Sequence, residues 1–437
     1  MLRPSGEALS PAARKTLVAS FLGWTLDAFD FFLLTFVVTR IAGDFRHSIA
    51  DVAGAITLTL ACRPLGALLF GWVADKYGRR TPLMIDIAFF SIVELLTAFS
   101  PNFTVFLVLR ALYGIAMGGE WGLGAAMAME VLPPKRRGLF SGLLQEGYMV
   151  GYLLAAAAYF LVFHFAPQLG LAQWNWRILF GLGVLPGLLI FYIRSNVPES
   201  PAWLARATTA PSSPVTLSAP EGSSRRAPQS LLRHAPLFIY TILLMAAFNF
   251  MSHGTQDLYA TFLQKQHGFS PGVTSTLSMI AAIGAIAGGI TFGAISQRIG
   301  RRTSILICAV LGIAVLPLWA FSPTIALLAT GAFCMQFMVQ GAWGVIPAHL
   351  NELSPSGARG TFPGFTYQLG NLISAGAAQM EAVFAQSHFP LASGGADYGK
   401  AMSIIALIMF AAVFILTAIG YLVKKENRDA DFLLVSP

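Results

Sequence analysis

The stretch GWVADKYGRR (Gly71–Arg80) decides the architecture, because a second copy, GAISQRIGRR (Gly293–Arg302), follows 222 residues later (293 minus 71). At the same spacing, GGEWGLGAAMAMEVLPPKRRG from Gly118 aligns without a gap with QGAWGVIPAHLNELSPSGARG from Gln340. Two landmarks that share one register indicate that the chain consists of two related halves.

The composition places both halves in a membrane. Only 11% of the 437 residues are charged, 56% are hydrophobic and the mean hydropathy is +0.67, whereas a soluble protein has roughly 25% charged residues. The apolar residues form blocks of roughly 20, long enough to cross a bilayer as helices. We predict an all-α integral membrane protein with twelve transmembrane helices in two pseudo-symmetric six-helix bundles. The predicted spans are about 16–41, 52–75, 82–100, 104–131, 138–166, 174–195, 236–266, 272–297, 303–322, 324–352, 358–387 and 398–424.

The repeat divides the chain into an N-terminal bundle, residues 1–195, and a C-terminal bundle, residues 236–437. Residues 196–235 contain the run ATTAPSSPVTLSAPEGSSRRAPQS, whose composition is typical of a linker. Lys and Arg gather in this linker and in alternate loops, so the linker and both termini are predicted to face the cytoplasm. The net charge of +8 therefore indicates membrane topology and contact with the lipid bilayer, not nucleic-acid binding.

The sequence also argues against several functional classes. Cys62, Cys308 and Cys334 lie in apolar blocks and show no metal-ligand spacing. No phosphate-binding glycine loop and no nucleophilic constellation appears, so we expect no metal, no cofactor, no ATP and no enzymatic activity. The start MLRPSGEALSPAARK has no apolar core, and we expect no cleaved signal peptide.

These motifs resemble those of a known family. GWVADKYGRR is similar to the signature between spans 2 and 3 of the major facilitator superfamily, and PESPAWL at Pro198 resembles a motif of its sugar and organic-anion branches. NFMSHGTQDLYAT (Asn249–Thr261) matches the span 7 pattern of the Jen-type lactate/pyruvate permeases at every specified position. WTLDAFDFF at Trp24 and YQLGN at Tyr367 look like that group and its sialate–proton symporter relatives. The resemblance implies transport of a small carboxylate together with protons, and we expect a monomer in the inner membrane of a bacterium.

Span 7 carries an unusual polar stripe. Its members are spaced i, i+3, i+4, i+7 and i+8, which places them on one helical face. Such a face must look at a cavity or at another helix. We predict that it lines the substrate path and that its His–Asp pair carries a proton; the alternative is a polar clamp between helices. The stripe consists of Asn249, Ser252, His253, Gln256 and Asp257.

Charged residues also lie within spans 1, 2 and 4. Arg63, predicted near the membrane middle, offers a planar fork for the substrate carboxylate; the alternative is a permanent salt bridge to Glu120 or to an acid of span 1. Asp27 and Asp30 are candidates for proton carriage, and the alternative is that Asp27 pairs with a basic side chain or caps a bend. Glu120 is either a proton site or the partner of Arg63.

Span 11 contributes two amides, Gln368 and Asn371, which we expect to bind substrate oxygens unless they serve only interhelical hydrogen bonds. Glu146 in span 5 is the repeat counterpart of Gln368, and for Glu146 and Glu381 we expect structural roles.

A further set of charges is predicted to lock the cytoplasmic face in one conformation. Each half contributes one cluster to this set. Because Gln297 stands in the second half where Asp75 stands in the first, the cluster of the second half should hold the face less tightly. The set consists of Asp75, Arg79, Arg80 and Glu130 with Arg301, Arg302 and Glu352.

The resulting hypothesis is a proton-coupled symporter of small monocarboxylates, lactate or pyruvate, that works by alternating access. The alternative is a proton symporter of sialic acid or another larger organic acid. A non-transporting nutrient sensor is a distant alternative, because the cytoplasmic tail is short.

Overall fold

A computed structural model of the chain describes residues 9–209, 234–391, 396–428 and 432. Within these ranges, eleven helical segments are long and apolar enough to cross a membrane, and they coincide with eleven of the twelve predicted spans. The described residues contain no β-sheet, only an isolated bridge between Pro390 and Ala396. The predicted all-α fold is confirmed. Residues 210–233 of the predicted linker lie outside the described ranges.

The first half contains spans 1 to 6. Span 5 consists of two consecutive helices, and span 6 contains a 3-10 segment between two short helices. A further helix, Pro201–Thr209, follows at the start of the predicted linker. The bounds are Pro11–Phe45, Ile49–Tyr77, Arg80–Ala98, Phe103–Val131, Arg137–Gln145 with Gly147–Gln168, and Asn175–Gly181 with Leu182–Leu188 and Leu189–Asn196.

The second half contains spans 7 to 12. Spans 7, 10 and 11 each consist of two helices, and the predicted eleventh span is therefore not one continuous helix. Its break at Ala375 and Gly376 contains a glycine, the residue with the weakest helix propensity after proline. The bounds are Ala235–Gln256 with Tyr259–Lys265, Pro271–Ile299, Arg301–Ala320, Ile325–Trp343 with Ile346–Leu353, Phe362–Ser374 with Ala377–His388, and Tyr398–Val423.

Short polar caps start several of these spans. The Ser48 hydroxyl accepts from the backbone N–H of Asp51, and the Asp51 carboxylate accepts from that of Ser48, which forms a capping box. Asn102 caps span 4 and Thr324 caps span 10 through single bonds of the same kind. Large apolar side chains such as Phe191 and Leu422 remain 67% and 88% exposed on the outside of the bundle, as expected of a surface that faces lipid.

The two halves meet closely at one end of the bundle, which we call the basic end. It carries the loops around residues 76–80, 134–137, 298–302 and 424–428, rich in Lys and Arg. There spans 5 and 8 cross with their main chains in contact: a methyl group at Gly142 would lie 2.2 Å from the carbonyl oxygen of Gly289. The basic end is therefore closed in this conformation.

Candidate functional site

Arg63 is the central residue of span 2 and is buried, with 2% exposure. Span 4 packs against the backbone of span 2 at this residue: a methyl group at Gly118 would lie 1.9 Å from the Arg63 carbonyl oxygen. No carboxylate among the described residues lies within ion-pair distance of Arg63. Its Nε and Nη2 atoms have no hydrogen-bond partner in that part of the chain. The guanidinium therefore has donors that no protein group among these residues uses.

A group of aromatic rings from both halves lies on one side of this guanidinium. It lies 6.0 Å from the ring centroid of Tyr367, which in turn is 4.6 Å from the ring of Trp121. Tyr148 stacks on Trp24 at 5.5 Å. The arginine is thus placed at the contact between the halves, where a ligand between spans 2, 4, 5 and 11 would meet it.

The residues of the span 7 stripe have different surroundings. The His253 Nδ1 atom lies 3.0 Å from the Asp257 Oδ2 atom, and both side chains are about one-third exposed, 29% and 33%. Gln256 donates to the Gln336 Oε1 atom of span 10 at 2.8 Å. Asn249 instead donates to the Met245 carbonyl of its own helix at 2.9 Å and is buried. The His–Asp pair and Ser252 are partly exposed, and His253 also interacts with Asn371 of span 11, whereas Asn249 and Gln256 are hydrogen-bonded to other protein groups.

Span 11 contributes two buried amides. Gln368 is fully buried, and neither its oxygen nor its nitrogen has a hydrogen-bond partner among the described residues. Asn371 is 4% exposed and lies one turn further along. Gln368 directly follows Tyr367, whose ring lies 6.0 Å from the Arg63 guanidinium, and Asn371 interacts with His253 of span 7.

The acids of spans 1 and 4 lie inside the first half. Asp27, Asp30 and Glu120 are fully buried, and their carboxyl oxygens have no hydrogen-bond partner in the described ranges. Asp27 and Glu120 are within electrostatic range of Arg63 without contacting it. The Glu120 carboxyl rests on the main chain of span 1, where a methyl group at Gly23 would lie 2.3 Å from its Oε1 atom.

Two acids of span 3 belong to the same interior and were missed by the sequence analysis. Glu94 forms a fully buried ion pair with Arg110 of span 4, and Thr97 accepts a second bond from that guanidinium at 2.9 Å. Asp86 is fully buried without a hydrogen-bond partner among the described residues. Asp86 and Glu94 are eight residues apart on one helical face, a spacing by which they could have been found.

The charges of the first half lie together at the basic end. Arg79 contacts Asp75 at 3.0 Å and Glu130 at 3.2 Å, and the guanidinium of Arg80 donates to the carbonyl of Arg194. Glu199, within the PESPAWL motif, accepts the backbone N–H of Arg79 at 2.7 Å. The PESPAWL motif is therefore hydrogen-bonded to the charge cluster through Glu199.

The second half repeats the arrangement. Arg301 and Glu352 form an ion pair at 2.7 Å, and Arg302 donates to the carbonyl of Lys424 at 2.7 Å. Glu426 accepts the backbone N–H of Arg301 at 2.5 Å, as Glu199 does for Arg79.

Two side chains of these clusters join the halves. Asp75 accepts from the backbone N–H groups of Gly360 and Thr361 at 2.8 and 3.0 Å and from the Thr361 hydroxyl at 2.7 Å. Its repeat counterpart Gln297 accepts from the backbone N–H of Gly138 at 3.1 Å. The first connection has more hydrogen bonds across the interface than the second.

A residue near the C-terminus also bridges the halves. The ring of Phe432 is 4% exposed and lies between two guanidinium groups, those of Arg137 at 3.7 Å and Arg359 at 4.3 Å. These arginines are repeat counterparts, one from each half. No feature of the sequence around Phe432 predicts this position.

Comparison with known proteins agrees with this architecture. The family model described as the Major Facilitator Superfamily matches residues 20–378. A "Carboxylic acid transporter protein homolog" of Saccharomyces cerevisiae is 33% identical over 428 residues, covering 94% of this chain and 68% of the relative. The sialic acid transporter NanX of Escherichia coli is 28% identical over 371 residues, covering 83% and 85%.

A structural neighbour is the proton:xylose symporter XylE bound to 6-bromo-6-deoxy-D-glucose. It aligns with a TM-score of 0.71 at 16% identity over 94% of this chain and 95% of that one, a likeness that concerns the fold. With two repeated six-helix halves, paired charge clusters and the family match over most of its length, the chain belongs to the Major Facilitator Superfamily and is a multi-pass membrane transporter.

Proposed function

We propose that this transporter is a symporter that carries a small monocarboxylate, lactate or pyruvate, together with a proton. The observation that carries the proposal is Arg63, a buried guanidinium without an ion-pair partner among the described residues, next to the tyrosine ring of the other half. A buried cation needs an anionic partner, and a planar guanidinium matches a carboxylate through two parallel hydrogen bonds. The similarity to a relative named for carboxylic acids supports this substrate class.

The remaining groups supply the other parts of the cycle. Gln368 and Asn371 would donate to the second polar group of the acid, a hydroxyl or keto oxygen. His253 with Asp257, at 3.0 Å and about one-third exposed, would take up the proton on the outer side. Asp27, Asp30 and Glu120 would hold protons within the first half, because isolated carboxylates are costly to bury in the charged form.

The basic end would face the cytoplasm, in accordance with its Lys and Arg content. The clusters at Arg79 and Arg301 keep it closed while substrate and proton enter from outside. Both clusters must loosen before the halves rock and release their load. One anion moved with one proton carries no net charge, so the proton gradient alone would drive accumulation.

Uptake of radiolabelled L-lactate and pyruvate into proteoliposomes tests this function. With an inward proton gradient, we expect accumulation that an uncoupler abolishes and that Arg63→Ala lacks. If folded, reconstituted protein takes up neither acid, the lactate/pyruvate assignment is wrong.

A second candidate substrate is sialic acid, favoured by the similarity to the sialic acid transporter NanX. The same proteoliposomes decide between them: unlabelled sialic acid that competes with lactate uptake less well than pyruvate does would reject this candidate. Uptake of labelled sialic acid in the absence of lactate uptake would favour it.

A further inference from the structure

Glu146 lies where the two halves meet, between the two helices of span 5 and opposite span 8. It is 2% exposed, and neither carboxyl oxygen has a hydrogen-bond partner among the described residues. A methyl group at Gly289 would lie 1.8 Å from the Glu146 Oε1 atom. The carboxyl group of one half therefore rests directly on the main chain of the other.

The described residues that contact Gly289 and the chain neighbours of Glu146 are uncharged. Span 1 brings Trp24 and Thr25 against the adjacent Gly147, and span 4 places Trp121 beside Gln145. Span 8 contributes Gly289, and span 10 contributes the carbonyl oxygen of Gln340 and the main chain at Gly344.

Among the described residues, the titratable and charged groups of these elements form no hydrogen bond or ion pair with Glu146. Asp27 of span 1 and Glu120 of span 4 interact with each other and with Arg63. Arg298 ends span 8, and His349 and Glu352 of span 10 belong to the basic end. Tyr148 on its own helix faces Tyr367, Arg63, Asp257 and Asp27.

A charged carboxylate without a cation or donor is costly to bury, whereas a protonated one is tolerated. The contact between Glu146 and Gly289 is thus compatible with the neutral acid. When spans 5 and 8 separate at the basic end, the contact is lost, water reaches the carboxyl group, and the charged form becomes favourable. The same side chain therefore prefers different protonation states in the two conformations.

We propose that Glu146 is a further proton-binding site, which couples protonation to closure of the basic end. A proton bound at Glu146 stabilises the closed conformation, and opening releases that proton on the side to which the basic end opens. Linkage makes the effect reciprocal, because a ligand that binds one conformation more tightly also shifts the population toward it. The proposal rests on the proton coupling proposed above and adds to those groups one carboxyl group whose protonation follows closure of the basic end.

The repeat offers a natural test variant. The counterpart of Glu146 is Gln368, an amide of the same shape, so Glu146→Gln replaces the acid by a permanently neutral group of equal size. Glu146→Asp keeps an acid at the same position.

The measurement is the distance between spin labels at Lys135→Cys and Arg298→Cys, exposed residues at the basic end of the two halves. The labels are introduced into full-length protein in lipid nanodiscs, with Cys62, Cys308 and Cys334 replaced by serine. Without substrate, we expect the ratio of long to short distances to rise with pH, by about tenfold per pH unit at most for one proton. Glu146→Gln should keep the short distance at every pH, and Glu146→Asp should retain a pH response.

A matched control is Asp86→Asn, which removes an equally buried acid that lies within one half and should leave the pH response intact. The proposal is overturned if wild-type protein shows no pH response, or if Glu146→Gln responds to pH as wild type does. Because no substrate is present, this result is separate from the uptake assay: failure of lactate uptake concerns the substrate, and failure of the distance change concerns Glu146.

Discussion

At the scale of single residues, the sequence singles out Arg63 and the pair His253–Asp257, because charge inside an apolar span is rare and has few explanations; their roles in transport stay predictions. Asn249 shows the limit of such reasoning. Its spacing gives the correct helix face, but its amide bonds to the carbonyl of Met245 within the same helix. Sequence periodicity predicts on which face of a helix a side chain lies. It does not predict whether that side chain forms a hydrogen bond with a backbone carbonyl of its own helix.

The first prediction concerns the guanidinium fork. Arg63→Lys keeps the charge and loses the paired geometry, so the KM for L-lactate should rise about 10- to 100-fold, as expected when a charged hydrogen bond is lost. The measurement is initial uptake against lactate concentration in proteoliposomes. Arg14→Ala, an exposed arginine at the start of span 1, is the control. An unchanged KM in Arg63→Lys together with transport by Arg63→Ala would contradict the assigned role.

At the scale of helices, the bounds of most spans follow from the sequence because blocks of apolar residues and their polar caps define them. The interruptions do not. Spans 5, 7, 10 and 11 were each predicted as one helix, and each consists of two. Average hydropathy is insensitive to a break of one or two residues, and the repeat counterparts of several breaks lie in unbroken helices. Contacts between helices therefore decide where a span is interrupted.

The second prediction concerns the contact of spans 3 and 4. Glu94→Ala leaves Arg110 buried without its carboxylate and should lower the free energy of unfolding by about 3–5 kcal/mol. Unfolding in mixed micelles with increasing sodium dodecyl sulfate measures this. Replacing both Glu94 and Arg110 by methionine removes both buried charges, so the double variant should recover most of the lost free energy of unfolding. Equal stability of Glu94→Ala and wild type would show that the pair contributes nothing.

At the scale of the whole molecule, the twofold repeat was evident from the sequence, and so were the charge clusters of both halves. The hydrogen bonds that join the two halves could not be predicted from the sequence. They involve backbone N–H groups, such as those of Gly360 and Thr361, and every residue except proline carries such a group. Their positions depend on how the bundles are oriented toward each other. The site at Arg63 and Tyr367 depends on the same orientation.

The third prediction compares the two connections across the halves. Asp75→Ala removes three hydrogen bonds to a charged acceptor, and Gln297→Ala removes one across the interface. The first should therefore shift the spin-label distances at the basic end toward the open form more than the second. The turnover rate should change, while the preference between lactate and pyruvate should not. A larger shift in Gln297→Ala would contradict this order.

The fourth prediction concerns the tail. Phe432→Ala removes a ring that two guanidinium groups share and should destabilise the closed form by about 1–2 kcal/mol, roughly 5- to 30-fold in the ratio of closed to open molecules. The same distance measurement reports it. Phe432→Tyr keeps the ring and should resemble wild type, as should Leu422→Ala on the outer surface. If Phe432→Ala leaves the ratio unchanged, the ring does not hold the halves together.

The glycine contact between spans 5 and 8 has a consequence for speed. Main chain lies against main chain at Gly142 and Gly289, so these two backbones can part without withdrawing an interlocked side chain, while the neighbouring Glu146 carboxyl group leaves the main chain of Gly289. The activation barrier of the conformational change should then come mainly from the charge clusters at the basic end. The crossing of spans 5 and 8 should contribute little to it. Added bulk at Gly142 would slow the transporter even where it left every ionic contact in place.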